Sequence, residues 1–318
     1  MHLLLVKTSS LGDVVHNLPV VSDLVRAFPE AQIDWCVEEA FADIPRLHPG
    51  IHDVLPVAIR RWRRALTQRS TWREMAAFKQ RLQQTRYDAI LDTQGLLKSG
   101  IITWLADGQR HGYAREVARE PLAAHCYQHT YVIPPNAHAV ERNRWLGAAA
   151  FDYPVDWPLD YGIRATAQSF DWLPASRYAV LLTATSRDDK LWDEERWIAL
   201  GNALAAQGLT SVLPAGNARE RERAGRIAAR IASAVVVPPL GIAALASLLD
   251  SAALTVGVDT GLVHLAAALG TPTIALYTAT DPALTGVLAT GFFRNLGQTG
   301  QTPTVEAVLA ASSQALRA

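Results

Sequence analysis

Asp13 closes the segment KTSSLGD at residues 7–13, between the apolar run HLLLV and the helix-like VVHNLPVVSDLVRAF. In an α/β chain, ligands bind beyond the carboxyl ends of parallel strands, where helix N-termini present free backbone N–H groups. A carboxylate at such a turn can accept a proton from a substrate. Gly12 allows close backbone approach, and Ser9 and Ser10 add hydroxyls. On these residues alone a second reading stays open and has the better odds: Asp13 caps the helix, since Asp is favoured at that position and its charge suits the dipole.

Three further loops have residue types that suit a nucleotide diphosphate. In GVDTGLVHLAAALGTPTIALY, Asp259, Thr260 and Gly261 lead from a strand into a helix that carries His264. Amides at that helix start and the Thr260 hydroxyl can donate to phosphate oxygens, and Gly261 lacks the side chain that would block approach. An isolated DTG reads equally as a cap before an apolar helix with one buried histidine. In TSRDDKLW, Thr185 and Ser186 precede Lys190, whose ammonium can neutralise a leaving phosphate or simply be solvated. In PAGNARERER, Glu220 can accept from ribose hydroxyls or make surface ion pairs.

The elements that must position these residues alternate. Apolar runs predict strands at 2–7, 31–37, 51–57, 87–92, 109–113 and 129–133. Three- and four-residue spacing predicts helices at 14–27, 72–86, 95–106 and 137–150. Between about 152 and 177, Pro154, Pro158 and Pro174 mark a connection. The alternation then restarts. Strands are expected at 178–185, 211–214, 235–237, 253–258 and 272–277. Helices are expected from 193 to 208, capped by Asp193 and stopped by Gly208, and at 218–232, 242–250 and 261–269. A last helix at 305–316 either closes the second domain or crosses back to the first. The expected fold class is α/β, with two Rossmann-like doubly wound domains, 1–160 and 161–318, facing across a cleft.

A chain of 318 residues with 49% hydrophobic content can bury a large core. The run Leu3 to Val6 is broken by Lys7 and lacks a basic leader and a cleavage site, so it reads as a strand rather than a signal or a membrane span. Cys36 and Cys126 have neither metal-ligand spacing nor a disulfide framework, which points to the cytoplasm. Net charge is zero, yet the window Arg60 to Arg86 holds nine Lys or Arg against Glu74 alone, net +8. Its opening, IRRWRR, suits an anionic partner or a solvated face. No GxGxxG follows the first strand, and GxxxxGK[ST], HExxH and GxSxG are missing, so dinucleotide oxidoreductases, P-loop enzymes, zinc sites and the common hydrolase elbow are not expected.

Collinear segments cover nearly the whole chain: KTSSLGDVVHNLP at 7–19, VEEAFADIP at 37–45, PVAIRRWRR at 56–64, DTQGLLKS at 92–99, AREPLA at 118–123, HAVER at 138–142, TSRDDKLW at 185–192 and VDTGLVHLAAALGTP at 258–272. Together they resemble the lipopolysaccharide heptosyltransferases of glycosyltransferase family 9, and IRRWRR and TSRDDK look more like type I than type II. The resemblance implies a GT-B fold and transfer of L-glycero-D-manno-heptose from ADP-heptose to the first Kdo of Kdo2-lipid A. It implies an acceptor site in the first domain, with Arg60, Arg61, Arg63, Arg64, Lys98, Arg119 and His138 as contacts. It implies a donor site in the second, with Thr185, Ser186, Lys190, Thr260, Gly261 and His264 near the diphosphate, Glu220 at the ribose and Asp259 close to the heptose.

The implied chemistry is an inverting displacement. Asp13 takes the Kdo hydroxyl proton, and Lys190 with the amides from Thr260 stabilises departing ADP without a metal or other cofactor. The implied protein is a cytoplasmic monomer, peripheral on the inner membrane, with no nucleic-acid partner. Two departures touch the donor pocket: Ala215 stands where the family has a tryptophan, and YTATDP at 277–282 replaces YGPTDP. The competing expectations are another sugar transferase of this fold, type II included, and a non-catalytic protein that docks its basic segment on an anionic surface.

Overall fold

The computed structural model describes residues 1–317. The chain divides into two compact units, Met1–Ile163 and a second that begins at Arg164. Each is built on one six-stranded parallel sheet.

In the first unit the strands are β1 (His2–Val6), β2 (Gln32–Glu38), β3 (Asp53–Val57), β4 (Arg86–Asp92), β5 (Asp107–Tyr113) and β6 (His129–Tyr131), in the order β3-β2-β1-β4-β5-β6. Leu3 to Val6 are fully buried, as a central parallel strand covered on both faces requires. The connecting helices are α1 (Leu11–Val15), α2 (Leu18–Ala27), α3 (Asp43–Arg46), α4 (Ile59–Trp62), α5 (Arg69–Leu82), α6 (Leu97–Leu105) and α7 (Ala139–Phe151). The helix expected at 14–27 is two helices. Pro19 stands at the start of α2, where its missing N–H costs nothing, whereas within one continuous helix its ring would meet the carbonyl a turn earlier.

In the second unit the strands are β7 (Tyr178–Leu182), β8 (Thr210–Leu213), β9 (Ala234–Val236), β10 (Leu254–Val258), β11 (Thr273–Leu276) and β12 (Phe293–Leu296), in the order β12-β11-β10-β7-β8-β9. The helices are α8 (Glu194–Ala205), α9 (Ala218–Ala228), α10 (Ile242–Asp250), α11 (Gly261–Ala268), α12 (Pro282–Thr285) and α13 (Val305–Ala315). Asp193 caps α8 by accepting the Glu195 amide at 2.9 Å. The edge strand β12 was not expected. Its sequence FRNL is short and lacks the β-branched residues that mark the inner strands. The last helix, α13, packs on α8, β11 and β12 of its own unit.

Residues 152–177 contain no helix or strand. Their first part is nevertheless tied to the first unit. Arg144, itself nearly buried, forms a bidentate pair with Asp23 and donates to the Trp157 carbonyl at 2.8 Å, while Tyr153 stacks flat on the Trp157 ring.

Candidate active site

The strand β1 ends at Val6, and the next residue is a buried lysine. The Lys7 ammonium donates to the Thr93 carbonyl at 2.8 Å and lies 3.4 Å from Asn143 Oδ1. Burial lowers its pKa from 10.5 to about 8, against the opposing pull of Asp13.

The turn that follows is clamped from the end of β4. Gln94 accepts from the Thr8 amide and hydroxyl at 2.6 and 2.8 Å and donates to the Ser9 carbonyl at 2.6 Å. Gln94 is itself held by Asp92, whose Oδ1 accepts the Gln94 and Gly95 amides and whose Oδ2 accepts the Tyr127 hydroxyl at 2.7 Å. Gly95 has φ +66°, a conformation that favours glycine. Burial raises the Asp92 pKa in spite of these bonds.

Asp13 is not the N-cap of α1. That residue is Ser10, and Asp13 is the third helical residue of a capping box, its Oδ2 accepting the Ser10 amide at 2.8 Å and the Ser10 hydroxyl at 3.0 Å. Its other oxygen, Oδ1, faces Arg119 Nη1 at 3.6 Å, and the side chain stays 24% exposed. Burial pulls its pKa up, but Lys7, Arg119 and the Ser10 bonds together outweigh that pull and leave it below the ordinary carboxylate value. Capping and an accessible, ionised carboxylate coexist in this one residue.

The other expected first-unit contacts divide. Lys98, in the first turn of α6, donates to Ser9 Oγ at 2.6 Å, and its pKa, lowered by burial, also responds to Glu38, Arg60 and Asp13. His138 caps α7, accepting the Val140 amide at 3.2 Å, and its ring meets His16 edge-on at 5.6 Å. Of the four arginines around Trp62, Arg61 is held by both Glu39 and Glu74, and the Arg60 guanidinium covers the Phe41 ring. Arg63 and Arg64 are exposed. The basic segment is therefore partly neutralised by Glu39, which lies outside the window that makes it look so basic.

In the second unit, Asp259 follows β10 and forms the centre of a polar cluster. Lys190 donates to its Oδ2 at 2.6 Å, Thr280 to the same oxygen at 2.8 Å, and the Thr185 hydroxyl to its backbone carbonyl at 2.9 Å. Lys190 and Asp259 are both mostly buried, so neither is the solvated charge that each loop allowed on its own. Thr260 is the N-cap of α11, Gly261 its first residue, and His264 is buried one turn on. Glu220 lies in the first turn of α9, accepting the Gly216 amide and the Asn217 side chain, each at 2.7 Å.

A pocket of about 240 Å³ opens beside these loops. Leu182, Pro214, Ala215, Val237 and Leu262 give it apolar walls, and Thr185, Ser186, Glu220 and Thr260 its polar lining. It suits a flat heteroaromatic ring next to hydroxyl and phosphate groups. Lys7, Gln94 and Thr280, which bond within these clusters, were not singled out from the sequence. A lysine ending a central strand was the available signal for Lys7, while the other two are recognised by what they bond.

The family model for glycosyltransferase family 9 (heptosyltransferase) matches residues 75–311. The chain belongs to this family. It is 47% identical over 288 residues to lipopolysaccharide heptosyltransferase 1 of Pseudomonas aeruginosa, covering 90% of this chain and 81% of that one. Among solved structures it resembles the E. coli heptosyltransferase WaaC with ADP, with TM-score 0.91 and 40% identity over 99% of this chain and 100% of that one. It also resembles that enzyme with ADP-2-deoxy-2-fluoro heptose, with TM-score 0.88 and 40% identity over 99% of each chain. The family 9 member is thus a glycosyltransferase, and its two doubly wound units are those of the GT-B fold.

Should Asp13 act as the base, the charges around it set the acid limb of activity. Lys7 and Arg119 favour its carboxylate, so replacing Lys7 by Met removes a stabilising cation and raises the Asp13 pKa. The acid limb of kcat/KM should move to higher pH in Lys7→Met, in a protein that still melts cooperatively. An unmoved limb would show that Lys7 does not tune Asp13.

Proposed function

We propose that the protein transfers L-glycero-D-manno-heptose from ADP-heptose to the first Kdo of Kdo2-lipid A, in building the lipopolysaccharide inner core. The close similarity to relatives named lipopolysaccharide heptosyltransferase 1, and to a solved enzyme holding ADP or an ADP-heptose analogue, supports the donor and the sugar. The observation that carries the chemistry is Asp13, kept ionised by Lys7 and Arg119 with one oxygen not committed to the helix cap.

In this reading the reaction is a single inverting displacement. Asp13 accepts the proton of a Kdo hydroxyl while that oxygen bonds to the anomeric carbon, and the bond from that carbon to the diphosphate oxygen breaks, its electron pair leaving with ADP. The apolar pocket beside Ala215 takes adenine, and Glu220 accepts from the ribose. Lys190, steered by Asp259 and Thr280, and the free amides of α11 stabilise the charge that develops on the diphosphate. With these cations and dipoles in place the step requires no metal. Arg63, Arg64, Arg119 and Lys98 supply positive charge for the Kdo carboxylates and lipid phosphates.

The same reading places the enzyme in the cytoplasm, as a monomer that touches the inner membrane peripherally and binds no nucleic acid. Among the described residues no helix is long and apolar enough to cross a membrane. Support for a peripheral contact comes from α6, where Leu97, Ile101 and Trp104 are 39%, 46% and 61% exposed at spacings that place them along one face. Leu122, on the adjoining short helix at Pro121–Cys126, is 62% exposed. Such an apolar stripe suits the interface of a bilayer.

Release of ADP from ADP-heptose should depend on added Kdo2-lipid A; acceptor-independent release, or none, contradicts the assignment. Asp13→Ala should lower turnover by about 10²–10⁴ while donor binding, read by calorimetry, persists. Near-normal turnover would remove Asp13 as the base. Replacing Ile101 and Trp104 together by Ser should weaken sedimentation with anionic vesicles, and unchanged binding would move the membrane contact elsewhere.

A further inference from the structure

At the other end of the first sheet, three residues remote in sequence come together. His2 opens β1, Asp34 lies on β2 and His52 directly precedes β3, three strands that are neighbours in the sheet. The register is fixed by β1–β2 pairing of His2 with Gln32 and Leu4 with Asp34, and by the His52 amide donating to the Ile33 carbonyl at 2.8 Å. His2 Nε2 is 3.0 Å from Asp34 Oδ2, and His52 Nδ1 is 2.9 Å from Asp34 Oδ1. The three ligand atoms all lie within 4.8 Å of one another.

The donor set is that of a transition-metal site. Two imidazoles and a carboxylate are borderline-soft ligands, and three protein ligands leave a fourth position for water, as in open zinc sites. With bonds of about 2.0–2.1 Å, neighbouring ligand atoms in a tetrahedral zinc site lie roughly 3.3–3.4 Å apart. The two imidazole–carboxylate contacts, made to opposite Asp34 oxygens, are a few tenths of an ångström shorter, and the widest ligand separation, within 4.8 Å, closes as the rings turn onto the ion. The carboxylate is pre-positioned. Asp34 is buried, and the Tyr87 hydroxyl donates to its Oδ2 at 3.1 Å, the kind of outer bond that orients a ligating carboxylate. The Tyr87 ring packs edge-on against His2 at 5.1 Å, which limits the motion of that imidazole. The side chain of His52 is 50% exposed and gives an ion a way in.

We propose that His2, Asp34 and His52 form a Zn²⁺ site that ties together the N-terminal ends of β1, β2 and β3. It sits at the strand ends opposite those that lead to Asp13, so it takes no part in the transfer. On binding, the one proton that each neutral ring shares with Asp34 moves to the ring's other nitrogen, and the nitrogen it leaves ligates the ion. Its consequence is stability of the first unit. No sequence motif announces it, because sheet register rather than chain spacing assembles the ligands.

The test uses the untagged, chelator-treated full chain titrated with Zn²⁺ alone by calorimetry, with Co²⁺ absorption as a spectroscopic check. One equivalent should bind, Co²⁺ should give the intense visible bands of a low-coordinate N/O site, and Zn²⁺ should raise the melting temperature. His2→Gln and His52→Gln should each weaken binding by at least ~10-fold and abolish the thermal shift. Both variants should keep wild-type ADP release in the absence of zinc. Failure of the wild-type protein to bind one equivalent would overturn the proposal. So would Zn²⁺ binding of equal strength in both variants, which would place the ion at other histidines such as the stacked His111 and His129.

Discussion

A buried ammonium is among the most costly groups a fold can hold, and the first unit is organised around one. Lys7 emerges from the buried end of a central strand into a site with a carbonyl, an amide oxygen and the field of Asp13 as its partners. Burial makes that charge easier to lose, and the Lys7 pKa falls toward 8, yet at neutral pH the ammonium keeps its proton. The neighbouring carboxylate, in turn, remains ionised despite its own partial burial because the cation is there. The Gln94 clamp, the Asp92–Tyr127 bond and the Ser10 capping box all hold the intervening turn still.

The second unit uses a related device with the partners exchanged. Asp259 leaves a central strand, β10, and holds the ammonium of Lys190, which arrives from the loop after the adjacent strand β7. In the first unit a lysine tunes a carboxylate; in the second a carboxylate, helped by Thr280, aims a lysine. Both pairs lie beyond the carboxyl ends of parallel strands, where the helix-start amides are also found. The proposed inverting transfer calls for two charged groups, a base and a leaving-group cation, and in that reading each doubly wound unit supplies one.

Most of the architecture was legible in the sequence because buried parallel strands read as continuous apolar runs, and of the twelve strands among the described residues eleven were expected close to where they lie. The exception, β12, is an edge strand whose half-buried residues carry no such signature. Asp13 was legible as a residue of two possible roles, and capping does not use it up, since one oxygen serves the capping box while the other is turned to Arg119. The arginine-rich segment was overread. Glu39, distant in sequence, neutralises Arg61, and a charge count along the chain cannot see a partner that the sheet brings back. The same blindness hid the His2, Asp34 and His52 cluster, and the clamp by Gln94, because both depend on register across strands.

In the proposed reaction one carboxylate and one leaving-group cation carry out a direct displacement at the anomeric carbon. The anomeric configuration of the heptosyl product, read by NMR after transfer in the presence of a metal chelator, tests it most directly. A direct displacement gives product whose configuration is opposite to that of the donor, formed in the chelator's presence. Retention of configuration would contradict it, as would loss of transfer on chelation that a divalent cation restores.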